Sequence, residues 1–300
     1  MMRSLYSAIS GLKNHQIKMD VIGNNIANVN TTGFKRSRVS FGTMLSQTVK
    51  GASTPDTATP ATYGGTNPTQ IGLGATLGSI DQIMSQGSAQ STGKNTDLMI
   101  QGSGFFLLKN SGNTVYTRAG GFGFDSDGNM VDPATGALVQ GYIYDASQAD
   151  ATWSPGPVTL GNIKFKLGDP SLVTPTSLLT SYSIDQNGII TGVYTDPSTG
   201  ASSTNKIAQI PVANFANDSG LQNIGSNFYT QTNNSGTASI GAAGTDGRGT
   251  LIPGALEMSN VDLSQEFTDM IVTQRGFQAN SRVITVSDTL LQELIDLKRQ

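Results

Sequence analysis

The sequence contains no cysteine and carries little charge. Charged residues make up 13% of its 300 positions, against about 25% in ordinary soluble domains. Without cysteine the chain has no disulfide, no thiolate nucleophile and no sulfur ligand for zinc. Because the net charge is −3 and the isoelectric point is near 5.1, there is no overall basic field, and we expect no nucleic acid partner.

Histidine is also scarce, since His15 is the single one. Most acid–base and metal sites use histidine, so we predict no enzyme activity, no metal ion and no cofactor. His15 falls on a helical seam and is predicted to be a packing or interface residue. Asp125-Ser126-Asp127-Gly128-Asn129 superficially resembles a calcium loop, but Gly136 stands where the bidentate glutamate belongs. A hairpin turn is the better interpretation.

Long apolar runs are missing as well. No segment approaches the ~18 apolar residues needed to span a bilayer, so we expect no membrane insertion. The opening residues Met1-Met2-Arg3-Ser4-Leu5-Tyr6 carry a positive charge, but they lead into polar residues instead of an apolar core. We therefore expect no cleavable secretory signal.

Near the N-terminus, apolar residues recur every seven positions. One row is formed by Leu5, Leu12, Met19 and Ile26, and a second row by Ala8, Ile22 and Val29. This period predicts an amphipathic helix with a coiled-coil-like seam. The segment Asn28-Val29-Asn30-Thr31-Thr32-Gly33 predicts the end of the helix, because its side chains bond their own backbone and glycine follows.

The same period returns at the C-terminal end of the chain. The repeating positions are Leu263, Met270, Phe277, Ile284 and Leu291, joined by Phe267, Ile271, Leu294 and Ile295. Asp262 followed by Gln265 predicts the start of this helix. Each helix alone would leave an apolar stripe in water, so we predict that the helices pair with one another or with other chains.

The middle of the chain is rich in Gly, Ser, Thr, Asn and Pro, with short apolar pieces such as Gly104–Leu108 and turn signals such as Asn187-Gly188. These features indicate antiparallel strands. We predict an α+β fold in which the central chain forms a mainly β body and the long terminal helices pair. The predicted ranges are 1–33 with 260–300 for the helical domain, 34–74 for an extended linker, 75–149 with 176–259 for the β-rich domain, and 150–175 for a Pro-rich insertion in it.

Two long motifs resemble those of the bacterial flagellar rod and hook proteins. The first comprises Ser7-Ala8-Ile9-Ser10-Gly11-Leu12 and Met19-Asp20-Val21-Ile22-Gly23-Asn24-Asn25-Ile26-Ala27-Asn28-Val29-Asn30-Thr31-Thr32-Gly33-Phe34-Lys35. The second comprises Gly254-Ala255-Leu256-Glu257-Met258-Ser259-Asn260-Val261-Asp262-Leu263 and Gln274-Arg275-Gly276-Phe277-Gln278-Ala279-Asn280-Ser281. Between them, Gly102-Ser103-Gly104-Phe105-Phe106 with Tyr116-Thr117-Arg118-Ala119-Gly120 is similar to the β-domain hairpin of that family.

The resemblance implies a layered subunit, with the paired helices as the inner domain and the β-rich domain outside. Identical subunits would then join by contacts whose symmetry does not close, giving an open helical tube. The seam residues would form the assembly interface. The polar residues Asn24, Asn25, Asn28, Gln274, Asn280 and Ser281 would bond between neighbours or line a channel. Implied partners are further copies of the chain and the rod, hook-cap and hook–filament junction proteins.

The resemblance also implies export through the flagellar type III apparatus to an extracellular position in the flagellum. Phe41 and Leu45 fit a Phe-x-x-x-apolar pattern associated with recognition by that apparatus. The alternative interpretation is that these two residues pack where the first helix meets the linker.

Within the family, the motifs resemble most the short hook proteins of Gram-positive bacteria. The preferred function is therefore a subunit of the hook, the flexible joint between rod and filament in motility. The first alternative is the distal rod, a rigid drive shaft, because distal rod proteins carry extra residues after the first helix and Val49–Gly74 is also long. A distant alternative is a secreted β-rich binding or hydrolytic module.

Overall fold

The computed structural model describes residues 2–55, 64–144, 160–168 and 177–299. The chain forms two compact units. Unit 1 contains Met1–Ala27, Ser37–Ile83 and Asp262–Gln300, and unit 2 contains Asn28–Arg36 and Met84–Val261.

Both predicted terminal helices are confirmed, and both belong to unit 1. Helix α1 spans Met2–Ala27 and helix α2 spans Leu263–Arg299. The predicted N-cap is also confirmed, because Asp262 Oδ1 accepts hydrogen bonds from the backbone N–H of Ser264 at 2.9 Å and of Gln265 at 3.4 Å. Val29 does not lie on the helical seam, since α1 ends two residues before it.

The remaining elements of unit 1 are two antiparallel strand pairs. Strand β1 (Ser37–Thr43) pairs with β4 (Ala75–Gln82), and β2 (Gln47–Lys50) pairs with β3 (Thr69–Ile71). The segment 34–74, predicted as extended, therefore contains three strands in its described part. Strand β4, which begins the range 75–149, pairs with β1 within unit 1.

Unit 2 is almost entirely β. Its strands are β5 (Ala89–Ser91), β6 (Leu98–Gln101), β7 (Phe105–Asn110), β8 (Asn113–Thr117), β9 (Gly123–Phe124), β10 (Met130–Val131), β11 (Leu138–Ile143), β12 (Leu160–Asn162), β13 (Leu178–Ile184), β14 (Ile189–Thr195), β15 (Ser202–Gln209), β16 (Pro211–Asn214), β17 (Gln222–Gly225), β18 (Phe228–Thr230), β19 (Ser239–Ala242), β20 (Thr250–Pro253) and β21 (Ala255–Glu257). A short 3₁₀ turn spans Asp218–Gly220. The main sheet has the path β13-β14-β15-β11-β7-β8-β18-β17, and all pairings are antiparallel.

Strand β7 runs through the centre of the core. Phe106 and Leu108 contribute to one buried cluster, whereas Phe105 and Leu107 contribute to the other. Because alternate residues of a strand point to opposite faces, β7 is covered on both sides. This explains why its sequence reads as an unbroken apolar run. The turn to β8 uses Ser111 and Gly112, both with positive φ, as a two-residue hairpin requires.

The predicted fold class is confirmed: the protein is α+β, mainly β, with one helix at each end of the chain. The predicted Pro-rich insertion at 150–175 lies outside the described residues except for 160–168, which include β12 and its pairing with β11. The predicted division into four ranges stays a prediction.

Candidate assembly interface

Helices α1 and α2 pack against each other in antiparallel orientation within unit 1. Asn25 near the end of α1 donates to Glu266 Oε2 in the first turn of α2 at 3.2 Å. One turn further along α2, Asp269 Oδ1 lies 3.8 Å from Lys18 Nζ. Gly11 lies against Asn280. As residue numbers increase along α2, the residue numbers of its contacts on α1 decrease, so the two helices run antiparallel.

Two glycines let the helix backbones approach closely. A Cβ atom placed on Gly11 would lie 2.8 Å from Asn280 Nδ2, and one placed on Gly276 would lie 2.6 Å from Cε1 of His15. Such distances are too short for real side chains, so these positions require glycine unless the facing side chain moves. The predicted packing role of His15 matches its place against Gly276.

The face of α2 that is buried in the chain is polar. Glu266, Thr273 and Ser287 are buried, and the partly buried Asn280 completes a row with a spacing of seven. The hydroxyls are bonded within the helix, Thr273 to the carbonyl of Asp269 at 2.6 Å and Ser287 to that of Val283 at 2.8 Å. Short side chains with satisfied hydroxyls fit a closely approached helix pair.

Asn25 ties three elements together. Its amide nitrogen donates to Glu266 on α2 at 3.2 Å and to the carbonyl of Ser37 at 2.9 Å, and its amide oxygen accepts from the backbone N–H of Ser37 at 2.9 Å. Asn25 is 1% exposed. The residue predicted to bond between neighbours or to line a channel thus makes these three hydrogen bonds inside its own chain.

The predicted seam residues fall into two groups. Those that follow the α1 pattern are buried (Ala8, Ile22) or half-buried (Leu5, Leu12, Met19, Ile26, Val29). Those on α2 are half-buried (Met270, Phe277, Ile284, Leu291) or exposed (Leu263, Phe267). The apolar row of α2 therefore lies beside the face that α1 covers, and the row of Glu266, Thr273, Asn280 and Ser287 occupies that face. Sequence reasoning missed this row because it is polar, although its seven-residue spacing is visible.

The C-terminal half of α2 carries an uncovered apolar stripe. Its members are Val283, Val286, Leu290, Leu294 and Leu297, which are 43% to 70% exposed. They recur at intervals of three and four residues, so they lie on one side of the helix. An exposed apolar stripe of this kind is typical of surfaces that contact other chains.

The other predicted positions are placed as follows. Asn24 and Gln274 are exposed, and Asn28, Asn280 and Ser281 are half-buried. Phe41, on β1, is 41% exposed, and Leu45, just after β1, is 86% exposed. Both residues are accessible in unit 1.

The turn at Asp125 has the geometry of a hairpin connection. Asp125 Oδ1 accepts from the backbone N–H of Asp127 at 2.9 Å and of Asn129 at 2.8 Å, and Oδ2 accepts from Asn129 Nδ2 at 2.7 Å. These hydrogen bonds hold the pKa of Asp125 below its ordinary value, and the bond from the Asn129 side chain has the largest effect. Within the described ranges, no three His, Cys, Asp or Glu side chains are grouped as metal ligands, and no helix is long and apolar enough to cross a bilayer.

Paired terminal helices, a β-rich unit and an uncovered apolar stripe on the longer helix define a structural subunit of a larger assembly. Three family profiles match the chain: "Flagella basal body rod protein" over residues 5–35, "Flagellar hook protein FlgE/F/G D1 domain" over 99–192, and "Flagellar basal body rod FlgEFG protein C-terminal" over 252–297. The first and third profiles overlap α1 and α2, and the second includes β7 and β8.

Curated relatives match over the full chain. The flagellar basal-body rod protein FlgG of Bacillus subtilis is 48% identical over 300 residues, covering 100% of both chains. The flagellar hook protein FlgE of Borreliella burgdorferi is 34% identical over 450 positions, covering 99% of this chain and 100% of the relative. The rod protein FlgG of the same organism is 36% identical over 301 positions and covers both chains completely. The chain belongs to the FlgE/F/G family of flagellar rod and hook proteins.

Membership places the protein in the flagellum as a structural protein of either the rod or the hook. The family is one of structural proteins, and it implies self-assembly and association with other components of the basal body. The predicted recognition of this family from the two terminal motifs is confirmed.

Proposed function

We propose that the chain is a subunit of the flagellar hook, which polymerises with copies of itself into an open helical tube. The choice of hook over rod rests on comparing this chain with the hook protein and the rod protein of one organism, Borreliella burgdorferi. Its hook protein is 34% identical over 450 positions, or about 153 identities, and its rod protein is 36% identical over 301 positions, or about 108 identities. Within one organism, this chain therefore shares more residues with the hook protein.

The distal rod is the second candidate, and a specific observation favours it. The Bacillus subtilis relative that carries the rod name matches at 48% over 300 positions with both chains fully covered. The hook alignment is much longer than this chain, 450 positions against 300 residues. The hook relative therefore contains segments that this chain lacks.

The helices supply the adhesion in this proposal. When neighbouring subunits cover Val283, Val286, Leu290, Leu294 and Leu297, apolar surface leaves water, and complete burial of a leucine contributes about 1.5–3 kcal/mol. Leu263 and Phe267 at the other end of α2 are also exposed and extend the contact surface. Exposed polar residues such as Asn24 and Gln274 would bond to neighbours or line a wet channel.

The inner position of the helices and the outer position of the β-rich domain belong to the same proposal. So do the extracellular location, export through the type III apparatus, and contact with the rod, hook-cap and hook–filament junction proteins. Recognition of Phe41 and Leu45 by the export apparatus belongs to this proposal, and it rests on their Phe-x-x-x-apolar spacing.

Electron microscopy of basal bodies from a deletion strain tests the choice. Complete rods without hooks would support the hook, whereas truncated rods would support the distal rod. Because the chain lacks cysteine, a single Thr114→Cys variant at an exposed position of β8 provides a second test by maleimide labelling of living cells. Hooks would be stained from outside, and the parent chain without cysteine is the matched control.

A further inference from the structure

The buried carboxylate of Glu257 in unit 2 accepts hydrogen bonds from two cationic side chains and from one backbone amide. Glu257 Oε1 accepts hydrogen bonds from Lys35 Nζ and from the N–H of Gly87, the latter at 2.9 Å. Oε2 accepts from Arg118 Nη1 at 3.3 Å. The Lys35 and Glu257 side chains are 0% exposed and that of Arg118 is 2% exposed. This is a desolvated ion cluster, not a surface salt bridge.

Further hydrogen bonds join the same three stretches of chain. Gly33 N–H donates to the carbonyl of Glu257 at 2.8 Å, and Lys35 Nζ donates to the carbonyl of Ser85 at 2.9 Å. Asn260 accepts from the N–H of Arg36 at 2.8 Å and donates to the carbonyl of Ser85 at 3.1 Å. We call the group of Lys35, Ser85, Gly87, Arg118, Glu257 and Asn260 the clamp.

The clamp lies where the chain enters and leaves unit 2. Arg36 ends the first piece of the unit, Met84 begins the second piece, and Val261 ends it. All clamp residues except Arg118 lie within four residues of those ends. Stretches of unit 2 that are far apart in the sequence are thus held together at the Glu257 carboxylate.

The Glu257 carboxylate offsets part of the cost of burying two cations beside each other. Burial lowers the pKa of Lys35 below its ordinary value, and the Arg118 cation adds to this effect, while Glu257 opposes it. Arg118 also lies over the ring of Phe105, 5.3 Å from its centroid, and so connects the clamp to the aromatic core. Without the carboxylate, two cations would remain buried beside each other.

Backbone geometry adds a second constraint on the same segment. Gly33 has φ +70, and a Cβ atom there would lie 2.6 Å from the backbone nitrogen of Ala119. Segment 28–36 therefore fits against the β-rich unit only when this close approach is held. Glu257 and Asn260 supply bonds at Gly33 itself and just after it, at Lys35 and Arg36.

We propose that Glu257 is a positioning residue whose carboxylate fixes segment 28–36 to the β-rich unit. Loss of the negative charge opens this segment and the neighbouring stretch 85–87 locally, while the core around β7 and β8 stays folded. The inference depends only on contacts inside unit 2, so it stands or falls separately from the choice between hook and rod.

Hydrogen–deuterium exchange of the full-length monomer tests this proposal. In the nearly isosteric Glu257→Gln variant, amides of 33–36 and 85–87 are expected to exchange about 100-fold faster, because breaking a buried ion pair strands its partners. Amides of β7 and β8 are expected to stay within about twofold of the parent chain. Unchanged exchange at 33–36, or equal acceleration at all sites, would overturn the proposal.

Two further variants sharpen the experiment. Lys94→Met removes an exposed lysine whose Nζ lies 3.9 Å from Asp97 Oδ1 and donates to the carbonyl of Phe122 at 3.2 Å, and it is expected to change neither segment. If Glu257→Gln does not fold, Asn260→Ala removes the hydrogen bonds to Arg36 and Ser85 without uncovering a charge. It is expected to accelerate the same two segments by about tenfold, and no local acceleration would reject the clamp.

Discussion

The contact between His15 and Gly276 gives a sharp test of helix pairing in the single chain. Alanine at a helix-interior glycine usually stabilises a protein by about 0.5–1 kcal/mol through its better helix propensity. At Gly276, however, the new Cβ would lie 2.6 Å from Cε1 and 2.7 Å from Nε2 of His15. Displacing a packed ring costs about 1–3 kcal/mol. The difference between these contributions gives a net destabilisation by Gly276→Ala of up to about 2.5 kcal/mol, and of about 1 kcal/mol at the middle of both ranges.

Gly23 on α1 is the matched control, because no atom lies within 4 Å of a Cβ placed there. Gly23→Ala should stabilise the monomer by about 0.5–1 kcal/mol. The assay is urea denaturation followed by circular dichroism at a helix-sensitive wavelength. A double-mutant cycle with His15→Ala isolates the contact, since removing the ring should restore the benefit of alanine at position 276. Equal stabilisation by Gly23→Ala and Gly276→Ala would refute the pairing of α1 and α2 in the monomer.

Three further predictions concern other parts of the chain. Leu290→Ser with Leu294→Ser should reduce polymerisation, measured by sedimentation, while monomer stability changes by less than about 1 kcal/mol because both residues are half exposed; Gln292→Ser, between them, is the control. Asp262→Ala should cost about 1 kcal/mol of unfolding free energy through loss of the α2 N-cap, measured by denaturation. Burial raises the pKa of Tyr229 to about 12, so its stabilisation is present below pH ~10 and is lost as the pH rises towards about 12. Between pH 9 and pH 12, the free energy of unfolding should fall by about 2–3 kcal/mol less in Tyr229→Phe than in the parent chain, as measured by denaturation at both pH values.

The positions of the helices could be predicted from sequence, whereas the face that each helix buries could not. The seven-residue spacing of Leu263, Met270 and Phe277 identified α2 as a helix with an apolar row. The same spacing also describes Glu266, Thr273 and Asn280, three residues further along. Which row meets α1 depends on how closely the backbones approach at Gly11 and Gly276, and that distance is a tertiary property.

The clamp illustrates a different limit. Lys35 and Glu257 both stand inside the two terminal motifs, in a sequence with few charges, so each could be singled out as unusual. Their pairing spans 222 residues and joins segments with no shared periodicity. The local sequence pattern therefore could not predict that Lys35 pairs with Glu257. The strand β7, by contrast, was predictable because burial on both faces leaves its signature in consecutive apolar residues.

The long sequence separation within the clamp also sets an order of events for a chain that emerges from its N-terminal end. Segment 28–36 has no carboxylate to bind until residue 257 has emerged, so it must wait unfastened while the intervening strands appear. Contacts of such high sequence separation are made late and slowly in folding. The carboxylate that fixes the segment in the folded unit is thus one of the last groups to become available to it.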